Sequence, residues 1–137
     1  MRRIVTGLVL LALLSSVLLA CGGTPAPVDP KATAEAFLKA MGERNYAEAH
    51  KLLSADTQAT VSVEDFQKML DDAWTNAGIS GFQTKLVKEA ILSKSGTRAS
   101  VPYQATLTTQ EGTTEVYNAL SLVLQDGQWR VIWPPAR

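Results

Sequence analysis

Ser95–Trp133 reads SGTRASVPYQATLTTQEGTTEVYNALSLVLQDGQWRVIW, and its punctuation decides the fold. The dipeptides Ser95-Gly96, Glu111-Gly112 and Asp126-Gly127 are turn signals, because glycine reaches the backbone conformations that tight hairpins demand. Between the turns the side chains alternate with a period of two, the mark of a half-buried strand. Val101, Tyr103, Ala105 and Leu107 alternate with Ser100, Gln104, Thr106 and Thr108. Val116, Leu120, Leu122 and Leu124 share one face, and Trp129, Val131 and Trp133 share another. The pattern predicts four antiparallel strands over 82–94, 97–109, 113–125 and 128–133. Three of them run to about 13 residues against an ordinary ~5–6, and a sheet of such strands must curl. Pro102 has no N–H to give a ladder, which predicts a bulge or an unpaired stretch there.

Upstream of the strands the period changes to that of a helix. Asp29-Pro30 combines an N-cap with proline at the first helical position. Ala34, Phe37, Leu38 and Met41 then fall on one face, and Gly42 predicts the end. Asn45 caps a second helix whose apolar side is Tyr46, Ala49, Leu52 and Leu53. Ser62-Val63-Glu64-Asp65 resembles a capping box, with Asp in place of the usual Glu. It opens a third helix, with Phe66, Met69, Leu70, Ala73 and Trp74 on one stripe and Gly78 closing it. Three helices packed on a curved, four-stranded antiparallel meander predict an α+β cone over residues 30–137.

Ahead of this body lie two short segments of different character. Arg2 and Arg3 precede an uncharged, Leu-, Val- and Ala-rich run from Ile4 to Ala20. As a helix that run would reach only about 25 Å, marginal for crossing a bilayer. It leads directly into Leu18-Leu19-Ala20-Cys21, which resembles the lipobox of bacterial lipoproteins, although Leu19 stands where a smaller residue is more usual. The resemblance implies a signal peptide at 1–20, cleavage between Ala20 and Cys21, and diacylglycerol on the Cys21 thiol. Residues 21–29 then form a lipidated cysteine and linker, Gly/Pro-rich through Gly22-Gly23-Thr24-Pro25-Ala26-Pro27. Two or three acyl chains on one cysteine hold a protein durably where one holds only marginally. Gly22 after the cysteine, rather than Asp, resembles the default for the outer membrane where a host has two. The expected address is therefore the extracytoplasmic side of the cell membrane or the outer membrane.

Composition narrows the partners. The chain carries 13 basic and 13 acidic residues. Without Arg2 and Arg3, 11 basic residues face 13 acidic ones, which is not the basic footprint of a nucleic-acid binder. The single cysteine excludes an internal disulfide. The expected partners are the membrane, through the anchor, and an envelope protein or polymer.

Helices followed by a curved meander resemble the NTF2-like (cystatin-like) fold. Ala36-Phe37-Leu38, Asn45-Tyr46-Ala47-Glu48-Ala49 and Leu52-Leu53-Ser54 look like the first helices of such domains. Leu122-Val123-Leu124, Asp126-Gly127 and Trp129-Arg130-Val131-Ile132-Trp133-Pro134 resemble the close of the NTF2-like N-terminal domain of class B penicillin-binding proteins. Ile132 departs from that pattern, where an acidic residue is common. The resemblance implies a non-catalytic spacer or interaction module. The transpeptidase nucleophile sits in Ser-x-x-Lys, a spacing these 137 residues do not contain, and no transpeptidase domain is expected. Lys94-Ser95-Gly96 reads as a hairpin turn rather than as that enzyme's third motif.

Few residues invite chemistry. His50 is the only histidine, has no ligand spacing around it, and is expected near the surface. Asp71 and Asp72 diverge by about 100° on a helix, so a solvated face explains them better than an acid–base pair. Glu64 and Asp65 sit where a helix dipole favours negative charge. No metal, cofactor or catalytic residue is expected. Trp129 and Trp133 read as core, with Trp133 partly exposed near the chain end. Asn118 is the oddity, since it interrupts the face of Val116, Leu120 and Leu122, and Tyr103 holds a comparable place on the preceding strand. Together they mark a candidate pocket inside the cone. The leading expectation is a non-enzymatic, membrane-tethered binding or scaffolding module. The alternative is a small-molecule binder, or weak lyase or isomerase, using the cone interior. A homodimer through the outer sheet face is a third expectation.

Overall fold

Asp29 opens the first helix by accepting the Lys31 N–H at 2.9 Å, with Pro30 at the position where a missing N–H does no harm. The structure is a computed structural model and describes residues 29–134. The signal peptide, Cys21 and the linker up to Val28 lie outside the described residues. Helix α1 spans Pro30–Gly42. The chain reverses at Arg44, whose φ is 56°, rather than at Gly42. Gly42 serves close approach instead: a Cβ there would lie 3.2 Å from the Phe82 carbonyl oxygen.

Among the described residues there are four helices where the pattern predicted three. Helix α2, Tyr46–Lys51, is capped by Asn45 and ends before Leu52 and Leu53. Ser54 accepts the Thr57 N–H and starts a further helix, α3, Ala55–Thr60. The cause is tertiary. The Val131 N–H donates to the Leu52 carbonyl at 2.8 Å, and the Ser54 N–H donates to the Val131 carbonyl at 2.8 Å. This short parallel bridge between Leu53 and Val131 follows directly on Leu52, the last residue with helical backbone, and leads into extended Ser54, so the helix cannot continue through it. Helix α4, Val63–Asn76, is capped by Ser62 on the Asp65 N–H, as the capping-box reading expects. Its predicted stripe divides, with Phe66, Leu70 and Trp74 buried while Ala73 is exposed and Met69 keeps 44% of its surface.

The sheet has the order β1-β3-β4-β5, all antiparallel: β1 Gly81–Leu86, β3 Arg98–Thr109, β4 Gly112–Gln125 and β5 Gln128–Val131. A two-residue strand, β2 (Ile91–Leu92), also pairs with β3. The long strand expected at 82–94 is thus broken. Leu86 pairs with Tyr103 and Ile91 with Ser100, so the four residues 87–90 lie opposite only Val101 and Pro102. Pro102 stays in register with Ala119 of β4, and its carbonyl accepts the Val87 N–H at 3.2 Å. In an antiparallel strand the N and C=O of one residue face the same neighbour, so the missing donor of Pro102 faces the interruption. At the β4–β5 turn Asp126 (φ 50°) and Gly127 (φ 74°) both take the left-handed backbone of the two-residue hairpin.

The concave face of the curled sheet packs on α1, α2 and α4. Phe37, Leu53, Phe66, Val101, Leu122 and Val131 are fully buried at its centre. Among the described residues the buried core runs from Ala34 to Val131, within the span 29–137.

Candidate functional site

The cone closes tightly at one end and stays open at the other. At the open end a cavity of about 420 Å³ lies between α1, α4 and the concave face of the sheet. Helix α1 contributes Phe37, Leu38 and Met41. Helix α4 contributes Leu70 and Trp74 from its buried stripe, and Met69 and Ala73, with Ala77 just past its end, from the neighbouring exposed one. The sheet and its approach supply Ile79, Phe82, Tyr103, Leu107 and Leu120, and Trp133 packs against the core beside them. Among the described residues Tyr103 brings the only hydroxyl, and none of them puts a carboxylate, imidazole, amine or guanidinium in the lining. Trp74 is held by its neighbours, with Phe82 at 5.2 Å between ring centroids and the Arg44 guanidinium 4.9 Å over its ring.

Tyr103 and Asn118 are direct cross-strand partners, so their side chains project from the same, concave face. They part company in depth. Tyr103 is half-buried and lines the cavity, and burial pushes its phenol above the ordinary value. Asn118 is exposed on the open half of β4 and is not part of the lining. Its Oδ1 accepts the Ala119 N–H at 2.8 Å. The sequence singled out both residues of the pair, of which Tyr103 lines the cavity and Asn118 does not, and missed most of the wall. Met69 and Ala73 were placed with the core, although Met69, Ala73 and Ala77 at i, i+4 and i+8 form a stripe of their own. Only the curvature of the sheet separates that stripe from the buried one.

His50 departs from expectation. It is buried, edge-on to Phe66 at 5.8 Å, and its Nε2 lies 2.6 Å from the Val61 carbonyl oxygen. A carbonyl only accepts, so Nε2 carries the hydrogen and the imidazole acts as a structural donor. Trp129 is buried, and Trp133 is partly exposed, tilted on Phe37 and edge-on to Phe66. Asp71 and Asp72 point apart as expected, but Asp71 accepts the hydroxyl of buried Tyr46 at 2.9 Å. That phenol is pushed up to about 12 by burial first, then by the hydrogen bond and charge of Asp71.

A second depression of about 840 Å³ runs between α1 and β1, past Glu35, Lys39, Glu43 and Lys85. Its walls mix solvated charges of both signs, and it is wider and shallower than the cone cavity. Among the described residues no group of three or more His, Cys, Asp and Glu could hold a metal ion. Among them, too, no helix is long and apolar enough to cross a membrane.

Comparison with protein families places this geometry. The model of the NTF2-like N-terminal transpeptidase domain matches residues 29–137. The chain belongs to that family. The α+β NTF2-like cone expected from the sequence is thus the fold of the chain, with a fourth helix and an interrupted first strand. No curated protein sequence matches it. Among solved structures, the NTF2-like chain is similar to a sec-c motif containing protein from Psychrobacter arcticus. The TM-score is 0.59 at 10% identity, covering 85% of this chain and 66% of that one. Delta 5-3-ketosteroid isomerase from Mycobacterium sp. gives a TM-score of 0.51 at 16% identity, covering 77% and 94%. Aln2 from a Streptomyces species gives 0.51 at 13% identity, covering 76% and 83%. At such identities the NTF2-like fold alone is shared.

Proposed function

We propose that the protein is a lipid-anchored, extracytoplasmic module of the cell envelope that binds or scaffolds without catalysing a reaction. The observation that carries the non-enzymatic part is the lining of the cone. General acid–base chemistry needs titratable groups placed against each other and tuned towards the working pH. Among the described lining residues Tyr103 stands there alone, and burial moves its phenol away from neutrality. A lyase or isomerase would require a base beside that hydroxyl. The open cavity favours binding as the second half of this reading, since a packed cone would leave a ligand no room.

The address rests on the sequence. Leu18-Leu19-Ala20-Cys21 follows an uncharged run with Arg2 and Arg3 ahead of it. Acyl chains on Cys21 would hold the domain near the bilayer on a linker too short to let it wander. Family membership supports the interaction role, because the domain in this family is N-terminal to a transpeptidase. Fractionation of cells expressing the intact chain and its Cys21→Ser variant tests the anchor. The parent should pellet with membranes and the variant should be released or stall uncleaved. A variant that is processed and still pellets would end the lipid reading.

A further inference from the structure

We infer that the cone cavity is a binding site for a small, neutral, largely apolar molecule carrying one hydrogen-bond acceptor, which the Tyr103 hydroxyl receives. The inference rests on the reading of the domain as a binding module and names the chemistry of its ligand. Three observations carry it. First, the cavity holds about 420 Å³, within the ~300–1,000 Å³ of ordinary small-molecule sites. Packed to the density of a protein interior, it would take roughly 300 Å³ of ligand. Second, its walls are aromatic and thioether surface, from Phe37, Trp74, Phe82, Met41 and Met69. Rings supply broad contact area at low entropic cost, and methionines adapt to irregular shapes. Third, the Tyr103 hydroxyl makes no hydrogen bond to any described residue.

The same lining selects against charge. A carboxylate or ammonium moved into this cavity would lose its hydration and meet no opposite charge among the described lining residues, which is unfavourable by far more than one hydrogen bond returns. Burial holds the Tyr103 phenol protonated well past neutrality, so across the physiological range it is a donor. A ketone, ester, ether or alcohol oxygen on an apolar frame satisfies it, and a pure hydrocarbon leaves it unpaired. The mouth lies along Met69, Ala73 and Ala77, the exposed stripe of α4, so entry needs no opening of the closed end.

The probe for the test is 6-propionyl-2-dimethylaminonaphthalene, a neutral fluorophore with one ketone whose emission reports both polarity and hydrogen bonding. Titrated into folded residues 29–137, it should bind one-to-one with a blue-shifted, enhanced emission. Ala73→Phe adds a ring at an exposed helix position and should abolish binding while leaving the circular dichroism unchanged. Tyr103→Phe should weaken binding about 3–10-fold, the worth of one neutral hydrogen bond, and shift the bound emission further to the blue. A naphthalene sulfonate of similar size should bind at least tenfold more weakly. No saturable binding, or binding indifferent to Ala73→Phe, would overturn the site. Tyr103→Phe with unchanged affinity and emission would overturn the hydroxyl's role, and equal binding of the sulfonate would overturn the neutral class. None of these readouts involves Cys21, so failure here is separable from failure of the membrane address.

Discussion

The two halves of β4 live in different surroundings although one unbroken ladder to β3 runs through both. From Ala119 to Gln125 the strand lies over the helices, with Leu120 and Leu122 buried, and β5 pairs with its last four residues. From Gly112 to Asn118 every residue is exposed, Tyr117 keeping 70% of its surface. Strand pairing alone therefore does not make a core. What differs is cover: α2, α3 and β5 close one end of the cone, and the other end carries the cavity. The closed end is also where the polar groups are satisfied. Thr57 Oγ1 donates to the Trp133 carbonyl at 3.1 Å, so the Ser54 hydroxyl must donate to Thr57 Oγ1 at 2.9 Å. Arg130 donates to the Lys51 carbonyl at the end of α2. Stability should concentrate where cover and satisfaction coincide, and adaptability where they are missing.

The largest break in that contrast should come from Phe66. Its ring is fully buried between His50 and Trp133 at the closed end. Phe66→Ala should destabilise residues 29–137 by about 3–5 kcal/mol, through lost transfer energy and a cavity the rigid surroundings cannot collapse. Urea unfolding followed by circular dichroism measures it. A loss under about 1 kcal/mol would mean that this end does not carry the fold.

His50→Leu sharpens the same point with a polar group. It keeps most of the volume against Phe66 but leaves the Val61 carbonyl without its donor. A loss of about 1–3 kcal/mol is expected. His50→Gln, whose amide can donate, should recover part of it. Equal losses in both variants would show that packing, not the hydrogen bond, explains the residue.

How much of this was legible in the sequence follows the same division. Period and turn signals placed β3, β4 and β5 within a few residues, because alternation and Gly-containing turns are local. Caps at Asp29, Asn45 and Ser62 placed three helix starts for the same reason. Pro102 announced an interruption, but its place on the neighbouring strand at Val87–Ala90 was not legible, nor was the extra helix after Ser54. The first needs Pro102 to be opposite a neighbouring strand, and the second needs Val131 to reach back to Leu52 and Ser54. Both are contacts between residues far apart in the chain. The candidate site was half legible: Tyr103 and Asn118 stood out by alternation, but which of them faces the cavity depends on how far α4 extends over the sheet. His50 was misplaced because its partner Val61 lies beyond a helix that the pattern did not show.

Tyr46 lies between the two regimes, a buried phenol that donates to the half-exposed Asp71. Tyr46→Phe should cost about 1 kcal/mol at neutral pH. The pH dependence is more telling. The folded phenol is raised from 10.0 to about 12 by burial, then by Asp71, with Arg44 opposing. Below pH 10 the hydroxyl is protonated in both folded and unfolded chains, and the contribution is fully present. Between pH 10 and about 12 the unfolded chain releases the proton first, so stability falls with rising pH. The difference in unfolding free energy between parent and Tyr46→Phe should shrink across that window. A difference that stays constant from pH 8 to pH 12 would contradict a buried, Asp71-bound hydroxyl.

The smallest effect belongs to the residue that looked most suggestive in the sequence. Asn118 is exposed, and its one hydrogen bond is local, to the N–H of the next residue. That N–H lies on the side of β4 where β5 no longer pairs, so water can replace the side chain. Asn118→Ala should therefore change stability by no more than about 0.5 kcal/mol, the ordinary range for a surface position. It should also leave binding in the cavity within twofold, since Asn118 forms no part of the wall. A loss comparable with Tyr103→Phe would mean that the polar rim and the apolar interior act as one site. The separation drawn along β4 would then have to be moved towards Gly112.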